Sequence, residues 1–154
     1  MTSRKNRGAA RKVMRMNKSR TFSTNIDVRF RDMDALGHVN HAVFFTYFEE
    51  GRKIFFQNHF EISSPAGFGL IIAHISCDYL KPIKLTDRLK LYITVGSIKN
   101  KSFSFNYKLA DRKDDSVVFA TGVSVQVCYD FSLNKSVPVP AEFKEKLVNL
   151  QPRQ

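Results

Sequence analysis

The chain has 154 residues, 43% of them apolar and 25% charged, with a formal net charge of +11. That length and apolar content suit one compact domain and exclude a chain disordered throughout. Eight of the 25 basic side chains (Arg4, Lys5, Arg7, Arg11, Lys12, Arg15, Lys18 and Arg20) fall in residues 1–20 with no acid among them, so the rest carries 25 − 8 = 17 basic against 14 acidic groups, an ordinary +3.

Residues 1–20 read as a basic, flexible tail, and residues 21–150 as a single domain without repeats or a linker rich in Pro or Gly. The tail has no apolar h-region, so it is not a secretory signal; its lack of acids also fits an organelle transit peptide. The stretch TFSTNIDVRF (21–30) follows. Phe22, Ile26, Val28 and Phe30 share parity there, which predicts a first strand. Residues 41–60 predict a helix with Asn40 as N-cap. Apolar side chains occupy most of its sides, as in a buried helix. Gly51 costs it about 1 kcal/mol of propensity relative to alanine, which a close approach to another backbone would offset. Strands are predicted over 70–80, 88–98, 102–110 and 116–130, the last with Val117, Phe119, Val123, Val125, Val127 and Tyr129 in step. Short turns between them suggest an antiparallel meander. VPVP (137–140) then leads into a short C-terminal helix.

One strand, a long buried helix and four more strands make an α+β domain. The expected architecture is a five-stranded antiparallel sheet curved around the helix. Such a sheet covers one side only, and its free edge and the uncovered apolar face favour a homodimer or homotetramer. No apolar run reaches the length of a membrane span, so no membrane insertion is expected. Cys77 and Cys128 form no CxxC pair and no zinc-site spacing. They read as small buried groups in a reducing compartment, which places the chain in the cytoplasm.

RDMDALGHVN (31–40) sets two acids, a glycine, a histidine and an asparagine directly ahead of the aromatic helix. Gly37 suits a turn that lets backbone approach a ligand. The helix start offers free N–H groups that steady an oxyanion or polarise a carbonyl. Asp34 beside it has the chemistry to attack a carbonyl or activate water. The plainer reading makes Asp32, Asp34 and Asn40 turn and capping residues. Glu49 and Arg52, spaced i, i+3, suit a salt bridge on one helix face. His59 and His74 read as structural or surface residues. Lys81, Lys84, Arg88, Lys99 and Lys101 are basic groups near strand ends, where a solvated face competes with contact to coenzyme A phosphates.

Residues 28–52, VRFRDMDALGHVNHAVFFTYFEEGR, resemble the signature of hotdog-fold thioesterases of the 4-hydroxybenzoyl-CoA thioesterase-like family. That pattern runs aspartate, any residue, aspartate, two residues, Gly-His-Val-Asn, an aromatic helix and a Glu-x-Ala-Arg end. CDYLKPIKLTDRL (77–89), KSFSFNYKL (101–109) and VPVP fit it in order, so the resemblance covers residues 22 to about 148. It implies a hotdog fold and an acyl-CoA thioesterase of fatty acid metabolism, a hydrolase without a metal or redox cofactor, whose coenzyme A belongs to the substrate. Asp34 matches the catalytic aspartate, as nucleophile or general base. The backbone N–H of His41 matches the carbonyl-polarising group. Gly37 matches the close-approach glycine, and His38 and Asn40 match positions lining the site; His38 has the chemistry to orient Asp34, protonate the leaving thiolate or bond the thioester oxygen, and equally suits a wall residue. Phe44 stands where tyrosine is frequent, which removes a hydroxyl from the substrate-binding region; His41 and Gly51 also depart from the pattern.

Two alternatives stay open. Acyl-carrier-protein thioesters are a second substrate class, because an acidic carrier would suit a basic surface. A non-enzymatic binding module would work through the basic tail, although no base-reading motif occurs and no nucleic acid is expected as a partner.

Overall fold

A computed structural model describes residues 20–60 and 69–153. The predicted basic tail lies outside them except for Arg20. The elements are β1 (Phe22–Asp27), a single 3-10 turn (Phe30–Asp32), α1 (Val43–His59), β2 (Gly69–Tyr79), β3 (Arg88–Ile98), β4 (Ser102–Asp111), β5 (Val118–Asp130), β6 (Lys135–Ser136) and α2 (Ala141–Leu150). All pairings are antiparallel, in the order β1-β3-β4-β5-β2, with the two-residue β6 beside β5. This is the expected α+β arrangement of a curved five-stranded sheet with a long helix and a short C-terminal one.

Three expectations need correction. The sheet is not a simple meander. Only β3, β4 and β5 follow one another, while β2 sits at the far edge beside β5 and the chain crosses the sheet to reach β3. The first strand ends at Asp27, and the 3-10 turn leaves Phe30 83% exposed instead of in the core. The alternation in the last long strand is real, but it points the opposite way. Ala120, Gly122, Ser124, Gln126 and Cys128 are buried beneath the helix, whereas Val123, Val125 and Val127 lie on the half-exposed outer face.

The reason is the helix itself. Phe48 is fully buried and stacks on Tyr107 with ring centroids 4.4 Å apart. Its ring occupies the space directly above Gly122: a Cβ there would lie 2.6 Å from both Phe48 Cε2 and the main-chain oxygen of Ser76. The strand facing so bulky a helix must therefore be narrow, and its branched residues turn outward. Gly51 plays the matching part on the helix, although its close neighbour is the side chain of Leu91 and not a backbone. A second cluster closes the other end, where Phe60 and Phe143 of α2 stack at 4.3 Å and Leu147 is fully buried.

Cys128 is buried and its thiol is pushed up to about 11 by that burial, while Cys77, expected to be buried too, is half-exposed. No helix among the described residues is long and apolar enough to cross a membrane. Replacing Gly122 by alanine is expected to lower unfolding stability by about 1–3 kcal/mol through overpacking. Urea denaturation of the purified variant measures this, and an unchanged midpoint would contradict the packing described.

Candidate active site

The segment between β1 and α1 folds on itself because its polar side chains satisfy its backbone. Asp32 is 7% exposed, and its Oδ2 accepts hydrogen bonds from the Arg29 N–H and the Tyr47 hydroxyl, both at 2.8 Å. Its main-chain oxygen accepts the Asn40 N–H, also at 2.8 Å. One residue thus fastens the 3-10 turn, the loop and the first turns of the helix, the bracing role that its position between strand and helix suggests. The Tyr47 phenol is raised far above its ordinary pKa, first by burial and then by its bond to Asp32, so it remains a donor.

Asp34 has a different environment. Its N–H donates to the His38 carbonyl at 2.7 Å, its carbonyl accepts the Gly37 N–H at 3.2 Å, and Met33 bridges to Val39. The resulting turn needs a left-handed residue, which Gly37 supplies with φ of 80°. Asp34 Oδ1 accepts the N–H groups of Leu36 at 2.9 Å and His38 at 3.2 Å. Its Oδ2 has no hydrogen-bond partner among the described residues, and the residue is half-exposed. One oxygen is therefore held, and the other is left to act.

The helix starts later than the expected cap at Asn40: its N-cap is Ala42, without a side-chain capping bond, while Asn40 shapes the approach through its Oδ1, which accepts the Ala42 N–H at 3.0 Å, and its carbonyl, which accepts the Val43 N–H. The N–H of His41 has no acceptor among the described residues. Free N–H groups at a helix start carry the positive end of the helix dipole. Asp34, Gly37, His38, Asn40 and His41 thus lie on one short segment between the 3-10 turn and α1. Phe44, one turn further, is buried, and its ring meets Tyr79 at 4.9 Å.

Tyr79 was not singled out by the sequence. Its hydroxyl donates to the His41 carbonyl at 2.9 Å, which fixes the peptide at the helix start from the far edge of the sheet. A tyrosine near the end of a strand gives no local signal for that contact. His59 packs edge-on against Phe22, and His74 is exposed on β2. Asp87 closes a turn by accepting the Lys84 N–H at 2.7 Å, and Lys81, Lys84, Arg88, Lys99 and Lys101 are all exposed.

The expected Glu49–Arg52 salt bridge is absent. Glu50 instead pairs with Arg29 at 3.2 Å, Glu49 is exposed, and Arg52 turns into the core, where its Nη1 donates to the Tyr107 hydroxyl at 3.1 Å. The helix rotation that buries Phe48 carries position 52 inward as well, because residues four apart share a face. Among the described residues no cluster of His, Cys, Asp and Glu is arranged to hold a metal ion.

Residues 28–147 match the model of the thioesterase-like superfamily. The chain is 26% identical over 128 residues to the long-chain acyl-CoA thioesterase FadM of Escherichia coli, which covers 82% of this chain and 96% of that protein. It is 27% identical over 131 residues to a 1,4-dihydroxy-2-naphthoyl-CoA hydrolase of Nostoc punctiforme, covering 82% and 86%. A Thermus thermophilus thioesterase crystallised with coenzyme A and zinc superposes with a TM-score of 0.73 at 30% identity, over 86% of this chain and 95% of that one. Replacing Tyr47 by phenylalanine, which leaves Asp32 short of one donor, is expected to cost about 1–3 kcal/mol of stability. Thermal unfolding monitored by circular dichroism reads that loss, and no change would remove Asp32 from its bracing role.

Proposed function

This chain belongs to the thioesterase-like superfamily, and from that premise we propose that it hydrolyses acyl-CoA thioesters with Asp34 as the reacting carboxylate. Its enzyme class is thioester hydrolase. The observation that carries the Asp34 assignment is the division of labour within its carboxylate. Two main-chain N–H groups orient Oδ1, while among the described residues Oδ2 has no partner and the His41 N–H, seven residues on, has no acceptor.

The thioester carbonyl oxygen takes the His41 N–H, which steadies the charge that develops there. Oδ2 of Asp34 then follows one of two balanced routes. It adds to the carbonyl carbon, expels the coenzyme A thiolate and leaves an anhydride that water cleaves, or it takes a proton from a water molecule that attacks the same carbon. Both give a carboxylic acid and free thiol, and neither calls for a metal or redox cofactor. The His38 N–H completes the hold on Asp34, and in this reading its imidazole returns a proton to the leaving thiolate. Gly37 and Asn40 shape the rim, and Phe44 provides an apolar wall for the acyl group.

The same reading makes the protein a cytoplasmic homodimer or larger. β2 is an edge strand with Ile71, Ile72 and Tyr79 each more than a third exposed, on a sheet whose neighbouring surface the helix does not cover. Pairing two such edges buries both the main-chain groups and the apolar side chains. The carrier-protein alternative finds no specific support here. The basic tail that would suit an acidic carrier lies outside the described residues.

Asp34→Asn keeps an oxygen for the Leu36 and His38 N–H groups while removing the negative charge. Acyl-CoA hydrolysis followed by thiol release is expected to fall by at least about a hundredfold, with unchanged thermal unfolding. Near-normal turnover would refute the assignment. Sedimentation equilibrium of the intact chain is expected to give twice the chain mass or more, and a monomer at micromolar concentration would refute the edge pairing.

A further inference from the structure

The start of α1 is held less firmly by its own residues than by a residue of the edge strand β2. Ala42 occupies the N-cap and brings no side-chain acceptor. The bond from the Phe44 N–H to the His41 carbonyl, which opens the helix, is stretched to 3.4 Å. The Tyr79 hydroxyl donates to that same carbonyl at 2.9 Å from 38 positions away in sequence. Of the two, only the tyrosine bond has ordinary hydrogen-bond length.

Tyr79 is itself well fixed. Its main chain pairs with Ala120 of β5, and the N–H groups of Leu80 and Lys81 that follow it both donate to the Phe119 carbonyl, at 2.9 and 3.1 Å. Its ring stands edge-on to Phe44 at 4.9 Å and to the His41 imidazole at 6.4 Å. Burial raises the phenol above its ordinary pKa, so the hydroxyl keeps its proton and remains a donor.

His41 joins two peptides with different duties. The peptide before it carries the His41 N–H, which has no acceptor among the described residues, and the carbonyl of that peptide, from Asn40, accepts the Val43 N–H at 2.9 Å. The peptide after it is the one Tyr79 holds. Each peptide is a rigid plane, and the two are hinged only at the His41 Cα. A swing of the second plane therefore disturbs the first, and fixing both fixes the direction of the N–H.

We propose that Tyr79 is a positioning residue for thioester hydrolysis: its hydroxyl, acting through the His41 carbonyl, keeps the His41 N–H aimed at the carbonyl oxygen of the bound thioester. This inference rests on the thioester hydrolase reading above. A donor that is already aimed stabilises developing charge without having to reorganise during the reaction. The charge on that oxygen is larger in the transition state than in the bound thioester, so loss of aim lowers kcat and leaves KM in place.

Tyr79→Phe removes the hydroxyl and keeps the ring against Phe44. In the intact protein, with a panel of acyl-CoA thioesters and thiol release as the readout, kcat is expected to fall at least about fivefold while KM stays within about twofold. Thermal unfolding is expected to be unchanged. Amide hydrogen exchange gives a reading independent of turnover: the Phe44 N–H, which donates to the His41 carbonyl, is expected to exchange faster in the variant, and the amides of β4 and β5 at their former rates. The inference is overturned by a kcat within about twofold of the parent protein, by a KM that rises in step with the fall in kcat, by a fall accounted for by loss of folded protein, or by unchanged exchange at Phe44. Where the parent protein cleaves thioesters and Tyr79→Phe matches it, only this inference fails; a parent protein that cleaves none removes the hydrolase reading as well.

Discussion

An α-helix with aromatic rings on most of its sides cannot face water, and the rest of this molecule is arranged around that constraint. The sheet curves to cover α1, and the strand beneath it gives up bulk where Phe48 sits, so that Gly122, Ser124 and Ala120 lie inside while the valines lie outside. A flat sheet of large residues would hold the helix too far away for Phe48 to stack on Tyr107. Coverage is nonetheless one-sided. The β2 residues opposite Gly122, Ser124 and Gln126, which are Cys77, Ile75 and Ile72, remain half-buried or exposed.

Two aspartates two positions apart are driven to opposite ends of the same physical scale. Asp32 is buried and spends its carboxylate on Tyr47 and the Arg29 N–H, so it holds three pieces of backbone together and has nothing left for chemistry. Asp34 closes a short turn with one oxygen and keeps the other free. Buried polar groups must be satisfied, whereas a reacting group must be oriented without being used up. Tyr79 reaches the same segment from the opposite edge of the sheet, because its hydroxyl donates to the His41 carbonyl, in the peptide next to the one that carries the His41 N–H.

The charge of the chain divides in a comparable way. The large positive excess belongs to residues 1–20, and the folded part is nearly balanced. Inside that balanced part Arg52 is the conspicuous cation, since Glu49, its expected partner, is left in solvent and Glu50 is taken by Arg29. A helix face chosen by aromatic packing thereby decides the environment of a charged side chain three residues from its nearest candidate partner. The same rotation brings the guanidinium to Ser124 and Gln126 through Tyr107.

Local pattern was enough for most of the elements and for the turn at Gly37, because each depends on residues within a few positions of one another, although it set the helix cap at Asn40, two residues ahead of Ala42. It was also enough to show that the 20-residue aromatic stretch had to be buried. It could not give the strand order, since β2 pairs with β5 across almost fifty residues of chain and nothing in either strand names its neighbour. Nor could alternation say which face of β5 lies inward: valine is the usual choice for a core, and only the bulk of Phe48 reversed it. Tyr79 at the helix start and Arg52 in the core were likewise decided by tertiary packing, because contacts between segments distant in sequence depend on how the helix is rotated on the sheet, and no periodicity records that angle.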